Sequence, residues 1–130
     1  MRDILFKAKR KDNGEWVEGY LFTIWGKAYI LWGTTNNIPN MIEVITETVS
    51  EHTGLQDKNG TNVFEGDIVN YFGKSYLNSE VIFKNGCFMF KFLSESTQKL
   101  RRSKAEPIFK NVSTCGGVIG NIYDNPELLK

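Results

Sequence analysis

Apolar residues along this chain recur at every second position, in short runs separated by turn-forming residues, a pattern that predicts strands rather than helices. Ile4, Phe6 and Ala8 alternate with Leu5, Lys7 and Lys9, giving a first strand with one polar edge. Asp12-Asn13-Gly14 is a turn. The next strand, Trp16 to Phe22, puts Trp16, Glu18, Tyr20 and Phe22 on one face and Val17 and Leu21 on the other. A turn near Trp25-Gly26-Lys27 leads to Ala28-Tyr29-Ile30-Leu31-Trp32, completing a meander of three strands. Gly33 to Asn40, rich in Thr and Asn, is predicted as a polar loop, and Met41 to Ile45 resumes the extended pattern. The stretch from Thr46 to Thr53 reads two ways. Thr46-Glu47-Thr48-Val49 looks like a capped helix start, whereas Thr48, Val49 and Thr53 favour a strand, the preferred reading.

The run from Thr53 to Val69 organises the rest of the chain. Asp57-Lys58-Asn59-Gly60 is a turn with Asp at its first position and Gly where a positive φ is needed. Phe64-Glu65-Gly66-Asp67-Ile68-Val69 then enters a buried strand sharply, with Gly66 at the bend, and the strand continues to Phe72. The clearest local signal comes next: Glu80 to Lys84 and Cys87 to Phe92 flank Asn85-Gly86, a hairpin dipeptide. Phe88, Phe90 and Phe92 share one face of that hairpin, which is either core or a subunit contact. Ser94 to Glu106 is polar around a lone Leu100 and reads as a solvated helical turn or a loop. Pro107-Ile108-Phe109 re-enters structure. Val118 to Tyr123, entered through Gly116-Gly117, is the closing strand, and Asp124-Asn125-Pro126-Glu127-Leu128-Leu129 a short helical turn with Pro126 first.

Composition narrows this picture only modestly. The 130 residues are 41% hydrophobic and 13% aromatic, enough for a core in one domain or two small subdomains. Sixteen basic against fifteen acidic residues leave a net charge of +1, which by itself requires no polyanionic partner. Cys87 and Cys115 lie far apart without metal-ligand spacing, and a reduced intracellular pair is preferred to a disulfide. The N-terminus has no apolar core of signal-peptide length, and no run approaches the ~20 apolar residues that span a bilayer. A cytoplasmic protein without a membrane partner is expected.

Four motifs, in order, resemble the YopX family of phage and prophage proteins. They are Arg2 to Ala8, then Asp12 to Tyr20, then Thr53 to Gly60 with Phe64 to Val69, and last Val118 to Leu129. The resemblance implies a phage- or prophage-encoded protein with a mostly β fold. It further implies a small SH3-like barrel in the C-terminal part, and self-association. It brings no catalytic residue. The expected architecture is an N-terminal β meander over residues 1–53 packed on a C-terminal SH3-like β-barrel over 54–130, with a short helical turn at the C-terminus.

Chemistry is sparse by comparison. Asp57, Asn59, Glu65 and Asp67 suggest a divalent ion, but a calcium loop opening at Asp57 would need a bidentate Glu where Ile68 stands, so turn roles are preferred. A Cys–His nucleophile would need Cys87 or Cys115 beside His52, the only histidine; Cys87 is expected to be a small buried thiol. No catalytic residue, metal site or cofactor is predicted, and the chain is not expected to be an enzyme. The leading functional reading is an oligomeric structural or regulatory protein, with Trp25, Trp32, Phe88 and Phe90 as self-association residues and the partner a second copy. A host or phage protein partner is left unspecified. The alternative is a nucleic-acid-binding module. There Lys99, Arg101, Arg102 and Lys104 contact phosphates and exposed tyrosines such as Tyr71 and Tyr76 stack on bases. A second basic cluster is Lys7, Lys9, Arg10 and Lys11.

Overall fold

The computed structural model describes residues 3–107, Val112 and 116–129. Its fold is mostly β, in antiparallel sheets, with one α-helix described over its whole length. The chain divides into two compact units, Met1–His52 and Thr53–Lys130.

In the first unit, β1 (Phe6–Lys9), β2 (Trp16–Ile24), β3 (Lys27–Thr35) and β4 (Ile38–Val44) run antiparallel in the spatial order β4-β3-β2-β1. The start of β5 (Ser50–Gln56) closes the other side, Glu51 opposite Phe6 and Ser50 opposite Lys7. The alternation seen in the sequence assigns the faces. Ala8, Ala28, Ile30 and Val44 are buried together, with Phe6, Val17, Leu21, Ile42 and Val49 packed on them. Trp16, Glu18, Tyr20 and Phe22 therefore look outward. The predicted loop from Gly33 to Asn40 is instead strand. Asn36 and Asn37 both take the left-handed conformation (φ 52° and 66°), so a two-residue turn suffices and Thr35 pairs with Ile38. Pro39 is tolerated because β4 is an edge strand, where a missing N–H need not break a ladder. Thr46–Thr48 forms one 3-10 turn before β5, so both readings of that stretch hold in part.

In the second unit β6 (Asn62–Phe64) follows the turn after β5, and β7 (Asp67–Tyr71), β8 (Asn78–Lys84), β9 (Cys87–Phe92) and β10 (Ala105–Pro107) form a meander. The last strand, β11 (Gly116–Asn121), returns to pair with β7, giving the order β10-β9-β8-β7-β11. This sheet is open, and no ladder closes it into a barrel among the described residues. Its core is Val63, Val69, Val81, Phe90 and Val112. The Asn85-Gly86 hairpin forms as expected, both residues left-handed, with Lys84 paired to Cys87. The polar stretch after β9 contains helix α1 (Glu95–Arg101), started by Ser94, whose hydroxyl accepts from the Thr97 N–H, and stopped by left-handed Arg102. Pro126–Leu129 makes the closing 3-10 turn. Ile108, Phe109 and Cys115 lie outside the described residues.

The stretch read as the organising one is a hub of backbone bonds. Asp57 Oδ1 accepts from the Asn59 and Thr61 N–H groups at 2.8 and 2.9 Å, and Oδ2 accepts from the Val118 N–H at 2.9 Å. One buried carboxylate thus fixes the turn and ties it to β11. At the next bend, left-handed Gly66 (φ 88°) donates to the Val81 carbonyl and accepts from the Ile122 N–H, while Asp67 caps the Phe64 N–H at 2.8 Å.

Candidate functional site

The residues expected to carry self-association fall into two groups. Phe90 is 5% exposed and lies in the core of the second unit, with Phe88 partly buried against it; the Phe88-Phe90-Phe92 face is core and leaves Phe90 no surface for a partner. Trp25 and Trp32 are on the surface of the first unit. Trp25, 88% exposed, occupies the first position of the β2–β3 turn, and Trp32 sits at a bulge between the Leu31 and Gly33 pairings.

Between them the strand register lines up residues of which sequence reasoning had singled out only Tyr29, as a further candidate for self-association. Tyr20 lies opposite Leu31, and Leu31 opposite Met41, so these three form one row across β2, β3 and β4. Phe22, Tyr29 and Glu43 form the next row, with the Phe22 and Tyr29 rings 6.3 Å apart. Both rows lie on the face opposite the core, and Tyr20, Phe22 and Met41 are exposed. The alternation in Trp16 to Phe22 was visible in the sequence, but which of its faces meets solvent depends on the neighbouring strands.

The two basic clusters differ in kind. In the first, Arg10 makes a two-pronged pair with Asp12 (3.0 and 2.8 Å), Lys11 reaches Glu43 at 3.0 Å, and Lys7 and Lys9 lie over the Trp16 ring at 4.7 and 5.5 Å. The hydrogen bond from Arg10 holds the Asp12 carboxyl below its ordinary range. In the second, Lys99, Arg102 and Lys104 line one groove of about 570 Å³ and form no ion pair among the described residues. Arg101 turns the other way, into a cavity of about 100 Å³ that it shares with Phe72 and Phe92, at 3.7 Å from Glu106. Tyr76 is exposed, and its carbonyl accepts from the Thr97 hydroxyl of α1 at 2.5 Å, which places it beside this cluster. Tyr71 is not exposed as expected; it packs against the core, edge-on to Phe90 at 5.5 Å.

Of the remaining candidates, Asp57 has a structural role. Asp57 is consumed by three backbone N–H groups. Burial raises its pKa, but the bonds from Val118, Thr61 and Asn59 more than offset that and hold it below the ordinary value. Among the described residues no three His, Cys, Asp or Glu side chains gather as metal ligands. Cys87 is free and exposed rather than buried, because it flanks the tip of the β8–β9 hairpin. No described helix is long and apolar enough to cross a membrane.

The model of the family described as YopX protein matches residues 5–130, nearly the whole chain. Among solved structures, the crystal structure of protein EF1440 from Enterococcus faecalis is similar, with 22% sequence identity, a TM-score of 0.57 and 100% of each chain covered. That likeness is one of fold. No curated protein matches the sequence.

Proposed function

The chain belongs to the YopX family, and from that premise we propose that it is a phage- or prophage-encoded accessory protein that acts in the host cytoplasm as a homo-oligomer, by binding rather than catalysis. The observation that carries this reading is the outward row Tyr20–Leu31–Met41, flanked by Phe22 and Tyr29, on the face of the first sheet that does not meet the core. A contiguous apolar face of this kind marks an interaction surface. Its surroundings favour a second copy as the occupant. The same face carries Lys7 and Lys9 on the β1 side and Glu18 and Glu43 further across, so its rim has both signs of charge. An isologous contact brings a patch against itself, which a rim of one sign would resist and a mixed rim accommodates. The outer edge of β4 is bridged at its Val44 end, to Arg10, while its Ile38 end, where Ile38 and Met41 are exposed, adjoins the patch.

The order of strands in the second unit supports the SH3-like architecture that the family resemblance implies. A four-strand meander whose fifth strand returns to the first is the connectivity of such a barrel before closure.

Light scattering at micromolar concentration tests the assembly reading. A discrete oligomer is expected for the natural sequence, and Tyr20→Lys with Met41→Lys should convert it to monomer with the strand content in circular dichroism unchanged. A monomeric natural protein at these concentrations would refute it.

A further inference from the structure

One end of the second unit carries exposed rings and, on and beside helix α1, a group of cations that form no ion pair among the described residues. We propose that this end binds single-stranded nucleic acid, with bases stacking on Phe72 and Tyr76 and phosphates held by Lys99, Arg102 and Lys104. It is a second activity, resting on different residues from the self-association face.

Phe72 is the first sign. It is 69% exposed and takes φ 56°, followed by Gly73 at 68°, in a tight turn closed by the Lys74 N–H on the Tyr71 carbonyl. A left-handed position suits Asn or Gly, and a bulky residue there is an outlier that points to function. Here the turn holds an aromatic ring out in water. Tyr76 carries the second exposed ring, and its backbone carbonyl is held by the hydroxyl of Thr97, which is itself buried in α1.

Charge is the second sign. Arg10 and Lys11 of the first cluster are spent on carboxylates, whereas Lys99, Arg102 and Lys104 form no ion pair among the described residues and face a common groove, in which they outnumber the one carboxylate that also lines it, Glu95. Arg101 links the two features, since it leaves the same helix to share a cavity with Phe72. Cations near exposed aromatic rings are what a flexible single strand engages, and every base has a face to stack.

Other polyanions fit less well. Helix α1 has seven residues, about 10 Å, two turns that offer few side chains to a major groove. A duplex also keeps its bases stacked internally. The cavity of about 100 Å³ is smaller than the roughly 150 Å³ that holds a benzene ring, so the rings serve as platforms and little sequence preference is expected.

The test is fluorescence anisotropy with a labelled oligothymidylate of about 15 nucleotides, the upper end of the site size of small β-folds. The same length of duplex and a poly-glutamate competitor serve as comparisons. Expected are tighter binding to the single strand than to the duplex and a salt slope near −2, from three phosphates at about −0.7 each on single strands. Changing Lys99, Arg102 and Lys104 to Ala should flatten the slope. Phe72→Asn should weaken binding roughly 5- to 150-fold, the range for one stacked base, with the slope unchanged. Asn also suits the left-handed turn, so the variant should melt no lower than the natural protein, which separates lost stacking from misfolding. Phe72→Trp should retain binding. The proposal is overturned by absent binding at low salt, by a duplex bound more tightly, by equal competition from poly-glutamate, or by full affinity in Phe72→Asn.

Discussion

Asp57 shows how one side chain can organise a chain of this size. Its carboxylate replaces a whole set of turn and cross-strand partners, accepting three backbone N–H bonds while nearly inaccessible to solvent. Removing it strands those donors, so Asp57→Ala should cost about 3 kcal/mol or more in urea unfolding. The same geometry sets a pH dependence. Because the folded-state pKa lies below the ordinary value, the folded protein binds fewer protons than the unfolded chain around that value. The stabilisation is therefore complete above about pH 4, the unfolded carboxyl range, and is lost as pH falls toward the depressed folded pKa. Urea melts of the natural protein and Asp57→Asn, from pH 7 to pH 2.5, should show a gap that narrows only below about pH 4. A gap constant over that range would mean that the carboxylate's charge has no part in it.

At the scale of elements, legibility followed how local each cause was. The Asn85-Gly86 hairpin and the Asp57–Gly60 turn were readable because their residues alone determine the backbone. Asn36-Asn37 makes the same kind of turn, but among neighbouring Thr and Pro it reads as a loop, since nothing local distinguishes a paired polar strand from an unpaired one. Helix α1 offers one exposed leucine and no apolar stripe; it forms because Ser94 caps it and Thr97 docks on the Tyr76 carbonyl, a contact 21 residues away. The outward apolar row was hidden for a related reason, as alternation defines two faces and cannot rank them. Gly19 was missed altogether. A Cβ there would run into the Leu31 carbonyl of β3, with the Ile30 side chain 3.0 Å away, so only Gly lets β2 and β3 approach at this point. Gly19→Ala must push apart two paired strands and should destabilise the protein by about 3 kcal/mol, at the upper end of overpacking costs. Hydrogen exchange should show the loss first at amides of Leu21 and Ile30. Unchanged protection there would mean that the sheet absorbs the methyl group by a local shift.

For the whole molecule, the proposed self-association through an apolar face outside either core predicts that stability depends on concentration. Neither core contains Tyr20, Phe22 or Met41, so burying them adds to stability only when another molecule supplies the cover. By mass action a partner that binds only the folded state stabilises it by RT ln(1 + [L]/Kd), about 2.7 kcal/mol at a hundredfold excess over Kd. Melting temperature should then rise by several degrees as protein concentration increases a hundredfold, given the few degrees per kcal/mol typical of a chain this long. Met41→Lys, which places a charge at the β4 end of the row, should melt at one temperature throughout that range. At the dilute limit it should match the natural protein, because an exposed position contributes little to the monomer. The proposed nucleic-acid site makes the opposite demand: oligothymidylate should raise the melting temperature of Met41→Lys as much as that of the natural protein. If the charge at Met41 also removed that shift, the two surfaces would be parts of one assembly-dependent site and not independent functions.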